Sequence, residues 1–314
     1  MTTGRRLSGV RFAPSPSGSF HIGNLRTAWV SKQIADFFSE PWIVRVEDID
    51  TPRVVPDAWI NQKNDLKQLG LIPTTVVIQS ARYDRHLELF QKARAEGRIY
   101  PCDCSRKEVL DNLAQMTRAP HESPPEYSGR CRQRFEAARS QGVSVTSPDF
   151  LAGYKPIETL AWRWARDSSA HSSGHHDPIV ARTSANGTGF TPGYHWACGI
   201  DDADGSYRVL VRAWDLASAD PIQREIRLWV SSHADPIVFH TALVTRHDGG
   251  RLEKRTQGVT LAEVLSQGVS ITSLLEKFTA SFDLSSAVRT VKLGTTNSPV
   301  GENKTAVSIL DLNL

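Results

Sequence analysis

RFAPSPSGSFHIGN, residues 11–24, decides how this chain is read. It leaves a short apolar run, crosses a stretch of two prolines, three serines and two glycines that marks a turn, and delivers His21 just ahead of a helical pattern. A turn between a first strand and a first helix is where doubly wound sheets offer backbone N–H groups and a helix N-terminus to phosphate. Gly18 and Gly23 permit close approach there. His21 stands near the positive end of the helix, able to donate to a phosphate oxygen. A histidine followed two residues later by glycine is common on protein surfaces, so the neighbouring text must decide between the two readings.

That text alternates short apolar segments with helical patterns over residues 1–100, which predicts a parallel sheet with crossover helices. Residues 10–13 read as the first strand and WIVRV, 42–46, as the second. Between them Leu25, Ala28, Trp29, Ala35 and Phe38 recur mostly at three- or four-residue steps, an amphipathic helix. Asp84 reads as the N-cap of the helix LELFQKARAEG, with Gly97 terminating it. Residues 101–182 are irregular and rich in Ser, Pro, Arg and His, and read as an insertion; within them HSSGHHDP, 171–178, is a solvated loop. Apolar and alternating text resumes with YHWACGID (194–201), YRVLVRAWDL (207–216) and IVFHTALV (237–244), which ends at the turn HDGG. A helix is expected across LAEVLSQG and ITSLLEKF, and then a polar tail. The expected organisation is therefore 1–100 and 183–258 as two halves of one α/β domain, 101–182 inserted between them, and 259–314 as a C-terminal helical region.

With 314 residues, 39% of them hydrophobic and a formal charge of +3, the chain has the composition of a globular protein, not a disordered one. That charge permits a phosphate or RNA partner without demanding one. No apolar run is long enough to span a bilayer and MTTGRRLSG lacks a secretory core, so a cytoplasmic protein without membrane contact is expected.

Of the four cysteines, Cys102, Cys104 and Cys131 fall close together, and three soft thiolates suit zinc. Buried free cysteines are the alternative, and Cys198, outside the cluster, reads as a core residue. GRCRQRFEAAR, 129–139, carries Arg130, Arg132, Arg134 and Arg139 against one acid, and WRWAR, 162–166, interleaves arginine with tryptophan. Such patches suit phosphate contact and base stacking, or equally an exposed helix face.

RFAPSPSGSFHIGN resembles the "HIGH" signature of class I aminoacyl-tRNA synthetases in its glutamyl form, RFAPSPTGxLHIG. VRVEDIDTPR, 44–53, resembles the second-strand motif of the same group, and RLEKR, 251–255, stands where its lysine loop is expected. Only residues 256–314 follow that loop, too few for a large anticodon-binding part, so the resemblance is to the short branch, the glutamyl-Q tRNA(Asp) synthetases. It implies a Rossmann-type catalytic domain with a zinc-containing insertion. The implied chemistry is activation of glutamate by ATP with Mg²⁺ and transfer to the queuosine base of tRNA(Asp), by a monomer.

The resemblance also carries residue roles. Arg11, Phe12, Ala13, Pro14 and Ser15 contact the amino acid, Glu47 pairs with its ammonium, and Tyr194 and Arg212 complete the pocket. His21, Gly23, Asn24 and Lys254 bind ATP, with His21 and Lys254 catalytic. In the family's C-x-C then Y-x3-C pattern, Tyr127 joins Cys102, Cys104 and Cys131 around a structural zinc. Read locally instead, Arg11 and Glu47 are an interstrand ion pair, Tyr194 a core aromatic and Arg212 a solvated strand residue. Two letters depart from the family: Asn24 ends the histidine box, and Glu253 replaces a serine beside Lys254. The rivals are a truncated glutamyl-tRNA synthetase, a non-catalytic RNA-binding relative and a small nucleotidyltransferase; the last explains neither VEDID nor the cysteines.

Overall fold

A computed structural model describes residues 8–105, 107–108, 127, 129–144, 147–155, 159–166, 177–184, 189–231, 235–245, 259–293, 300–301 and 306–308. The chain forms two units, Met1–Ala81 with Cys198–Leu314, and Arg82–Ala197. The first begins β1 (Val10–Phe12), α1 (Ile22–Phe37), β2 (Trp42–Val46), α2 (Ala58–Gln68) and β3 (Thr75–Ile78). The second holds α3 (Tyr83–Ala95), β4 (Ile99–Cys102), α4 (Arg130–Ser140), α5 (Pro148–Ala152), β5 (Thr159–Trp164), β6 (Ile179–Ser184) and β7 (Phe190–Pro192). Helix α6 (Tyr194–Gly205) leads back into the first unit, followed by β8 (Val209–Ala213), α7 (Asp220–Val230), β9 (Ile237–Thr241) and β10 (Leu243–Thr245). Then come α8 (Leu261–Ser266), α9 (Ile271–Ala280), α10 (Leu284–Leu293), β11 (Val300–Gly301) and β12 (Ala306–Ser308). Among the described residues no helix is long and apolar enough to cross a membrane.

The main sheet of the first unit has the order β11-β9-β8-β1-β2-β3, and every pairing in it is parallel. From β1 the chain winds outward through β2 and β3; β8 then enters on the other side of β1 and winds the opposite way. The reversal between β1 and β8 is the switch point at whose carboxyl ends such sheets bind ligands.

Alternation along each strand sorts the side chains to two faces. Val10, Phe12, Trp42, Val44, Val209, Val211 and Phe239 join Leu25, Ala28 and Trp29 of α1 in one apolar cluster. The residues between them, Arg11, Arg45, Arg212 and His240, are buried on the other face. Parallel strands covered on both sides ordinarily read as continuous apolar runs. Here the second layer is charged.

The strands at 10–12 and 42–46 and the helix behind the turn match the sequence reading; four other readings change. YHWACGID is not an alternating segment but the start of α6. Asp84 lies inside the first turn of α3, whose N-cap is Arg82, although Gly97 does follow that helix with φ +64°. The single expected helix over 261–278 is two helices, broken at Gly268 with φ +83° and restarted by the Ser270 cap. The tail supplies α10, which packs Ala287 and Val291 into the core.

The second unit carries an antiparallel sheet of order β4-β5-β6-β7, which the polar text of 101–182 concealed. Phe90 of α3 anchors it, with ring centroids 5.3 Å from Trp162 and 4.8 Å from Phe190. WRWAR is mostly strand β5: Trp162, Arg163 and Trp164 are all buried, so it offers no exposed surface for base stacking. The arginine-rich 129–139 segment is largely α4, with Arg132 buried against Asp177 and Glu136.

Candidate active site and metal centre

The turn that opens the chain is tied down from beneath. Gln62 of α2, itself buried, donates its amide Nε2 to the carbonyls of Ser15 (3.1 Å) and Gly18 (2.8 Å). Gly18 holds φ +129°, which explains glycine at that position. The Glu47 N–H donates to the Pro14 carbonyl and the Val55 N–H to that of Pro16. Gln62 had no signal in the sequence, since nothing marks one glutamine of a polar helix as the clamp of a distant loop.

His21 is the N-cap of α1. Its Nδ1 accepts from the Gly23 N–H at 3.1 Å, and the Asn24 side chain accepts from the His21 N–H at 3.3 Å, a reciprocal capping box. An Nδ1 that accepts carries no proton, so the imidazole bears its N–H on Nε2 and acts as a donor through that atom. Gly23 allows this: a Cβ there would lie 3.0 Å from the His21 ring. Asn24, the departing letter, takes the N3 capping role.

Behind the sheet's charged face, α6 places Asp202 under three guanidinium groups. Arg11 grips it with Nε at 3.2 Å and a terminal nitrogen at 2.8 Å; Arg45 donates at 2.5 Å and Arg212 at 3.4 Å. Burial alone would push the Asp202 carboxyl up, but Arg11, Arg45, Arg212 and Arg227 override it and hold the group well below the usual range. Arg45 also donates to Glu47 at 2.8 Å, and the Cys198 thiol donates to the same Glu47 oxygen at 3.0 Å. Burial and Glu47 push that thiol far above its ordinary value. Arg212 continues to Asp220 (3.1 Å) and Gln223 (2.6 Å).

Arg11, Glu47 and Arg212 thus meet in one buried network, but Arg11 and Glu47 are not each other's partners and Arg212 is not solvated. Phe12 points to the opposite, apolar face, 6.1 Å from Phe20. Ala13 and Pro14 lie at the head of the turn, with Ser15 exposed beside them. Tyr194 is in the second unit and is 42% exposed, not a core aromatic. Asp202, the hub, was missed; its one trace is a pair of acids directly after the apolar WACGI.

Lys254 and Glu253 lie outside the described residues. Both flanks of their segment are described. The Val259 carbonyl accepts from the Ile22 N–H at 2.9 Å, and Thr260 bridges to His21. On the other flank Val244 packs in the α1 cluster, 3.7 Å from where a Cβ on Gly23 would sit.

In the second unit β4 ends at Cys102, Cys104 follows, and α4 supplies Cys131 from its first turn. The three sulfurs lie within 4.8 Å of one another. Cys104 and Cys131 are 3.7 Å apart, against about 3.8 Å for two sulfurs sharing one tetrahedral zinc. Tyr127 is buried with them, its oxygen accepting from the Arg132 N–H at 3.0 Å. The donor set therefore fits a zinc ion. Hydrogen bonds from Cys104 and Cys131, joined by the Arg163 charge, hold Cys102 far below the ordinary thiol value despite its burial. Burial, then the sulfurs of Cys131 and Cys102, push the Tyr127 phenol up.

The sequence profile of the class I tRNA synthetases (E and Q), catalytic domain, matches residues 9–280. A glutamyl-Q tRNA(Asp) synthetase of Nocardia farcinica is 34% identical over 281 residues, covering 87% of this chain and 84% of that protein. A glutamate–tRNA ligase of Alkalilimnicola ehrlichii is 34% identical over 262 residues, 82% of this chain, but this chain spans only 53% of its length. The crystal structure of a glutamate–tRNA synthetase from Elizabethkingia anophelis shares the fold at TM-score 0.63 and 18% identity, over 87% of this chain and 61% of that one.

Proposed function

Because this chain belongs to the class I tRNA synthetases (E and Q), enzymes of the ligase type, we propose that it activates glutamate with ATP and transfers the glutamyl group to the queuosine base of tRNA(Asp). The observation that carries the first step is the array at the β1–β8 switch point: Arg11 and Arg212 from the two flanking strands, Glu47 beyond β2, and the His21-capped end of α1. Glutamate brings two carboxylates and one ammonium. Guanidinium forks suit the former and the Glu47 carboxylate the latter.

In this reading one carboxylate of glutamate attacks the α-phosphorus of ATP, forming the mixed anhydride and releasing pyrophosphate. The protein positions the two and balances charge. The His21 Nε2–H and the first N–H groups of α1 hold phosphate oxygens, and Lys254, together with Mg²⁺, neutralises the departing pyrophosphate. The anchoring of Val259, which follows the RLEKR segment in the chain, beside Ile22 at the start of α1 supports that pairing. Cys102, Cys104, Cys131 and Tyr127 would hold a structural zinc that fixes the inserted region, 101–182. A hydroxyl of the RNA base then attacks the acyl carbon of the anhydride, forming the glutamyl ester and releasing AMP as the acyl–phosphate bond breaks. The assignment includes a cytoplasmic monomer.

Exchange of labelled pyrophosphate into ATP, run across amino acids, tests the activation step. Exchange with L-glutamate alone is expected; none with glutamate would reject the assignment and favour an RNA-binding relative without catalysis.

A further inference from the structure

Arg163 comes from WRWAR, the segment that composition offered as an RNA surface, yet its side chain is buried within the cysteine cluster. Its Nε donates to Cys102 Sγ at 3.2 Å and its guanidinium lies 3.9 Å from the centre of the Tyr127 ring. A terminal nitrogen donates to the Asp177 carbonyl at 2.6 Å, which fixes the fork. Asp177 is fixed in turn by Tyr100 (2.7 Å), Arg132 (2.9 Å) and the Arg166 N–H (3.0 Å). Arg130, half exposed, donates to Cys104 Sγ at 3.5 Å while also pairing with Asp103.

Charge explains the placement. Three thiolates and a phenolate carry −4, a zinc ion supplies +2, and the remaining −2 stands in a small buried cluster. An uncompensated charge there is costly. Hydrogen-bond donors on the non-metal side of coordinating sulfurs orient the ligands and tune the site.

We propose that Arg163, with Arg130 as the weaker second member, is a cationic outer shell that sets the metal affinity of the Cys102–Cys104–Tyr127–Cys131 centre. The proposal rests on the zinc reading given above. Arg163 is a positioning residue: it contacts two of the four ligands through its guanidinium and leaves the metal to them.

The test is zinc affinity of the full-length protein, measured by competition with a chromophoric chelator, with folding followed by near-ultraviolet circular dichroism in zinc excess. Arg163→Gln should bind zinc about 10- to 100-fold more weakly. Arg163→Lys, which keeps the charge, should recover most of the affinity, and Arg130→Gln should lose only a few-fold. Arg163→Gln binding as tightly as the parent, or Arg163→Lys no better than Arg163→Gln, overturns the proposal. If neither Arg163 variant folds, Arg130→Gln decides, and unchanged affinity there overturns it. A parent protein that takes up no zinc removes the zinc reading and the proposal together, an outcome distinct from a parent that binds and a glutamine variant that binds equally well.

Discussion

Two buried polar clusters are built on opposite terms in this molecule. In the first unit, Asp202, Glu47 and Asp220 face Arg11, Arg45 and Arg212, so each charge meets an opposite one from the same chain. In the second unit three sulfurs and a phenol converge on one point with two arginines outside them. The first cluster balances itself. The second gathers sulfur and phenol ligands around a point that could hold a metal ion, within a small apolar surround. On the proposed reading, the polar network of one unit is complete within the chain while the order of the other depends on a bound metal.

Removing the metal should expose that difference most strongly. Structural zinc contributes roughly 10 kcal/mol in small zinc-dependent domains. Chelation, or Cys131→Ala, should raise hydrogen exchange across β4, β5 and α4 while β1, β2 and β8 stay protected. Equal loss of protection in both units would break the contrast.

Asp202→Asn attacks the self-balanced cluster. Three guanidinium groups would lose their common counter-charge and one of its two acceptor oxygens, and removing one partner of a buried ion network costs about 3–5 kcal/mol. Chemical denaturation should register this with zinc still bound. The same group sets a pH dependence: its folded value is depressed, so its stabilisation is complete above the unfolded carboxylate range and is lost as pH falls from that range toward the lowered value. A denaturation series through that acidic window should be flattened in Asp202→Asn.

His21→Asn separates capping from chemistry. Asparagine is a strong N-cap, so the melting temperature should hold. The Nε2 donor is lost, and glutamate-dependent pyrophosphate exchange should fall by about a hundred- to a thousandfold. A fall in melting temperature with exchange intact would make His21 a structural cap.

The smallest effect is expected at Glu40, which accepts from the Gly9 N–H and the Ser8 hydroxyl at 2.9 Å each and from Arg208 at 3.3 Å. Glu40→Gln should cost less than about 1 kcal/mol, since glutamine keeps an acceptor oxygen for Gly9 and Ser8 and the lost charge faces a partly exposed Arg208. A larger cost would show that edge ion pairs matter as much as the buried hub.

The parts legible in the sequence were those with a clean period. Residues 10–12 and 42–46 show an apolar set on one face, and the glycine-bearing turn after β1 announces α1, although that helix buries every residue from Leu25 to Ser31. Helix α6 was hidden because Trp196, Ala197, Cys198, Ile200, Asp201 and Asp202 are all buried, leaving no polar stripe to mark a helical repeat. Arg163 misled for the matching reason: a charged residue in a strand reads as surface unless its buried partner, here a sulfur 61 residues away in the chain, is known. Cys102, Cys104 and Cys131 announced themselves as a group, whereas Tyr127 entered only through resemblance.

Whether this chain is a glutamate-activating enzyme whose acceptor is a modified base is decided by one transfer assay. Labelled glutamate, ATP and the zinc-loaded protein are supplied with tRNA(Asp) bearing queuosine, tRNA(Asp) lacking it, or tRNA(Glu). Label should appear only on the queuosine-bearing tRNA(Asp). Label confined to tRNA(Glu) would contradict the assignment and identify a short glutamate–tRNA ligase in its place.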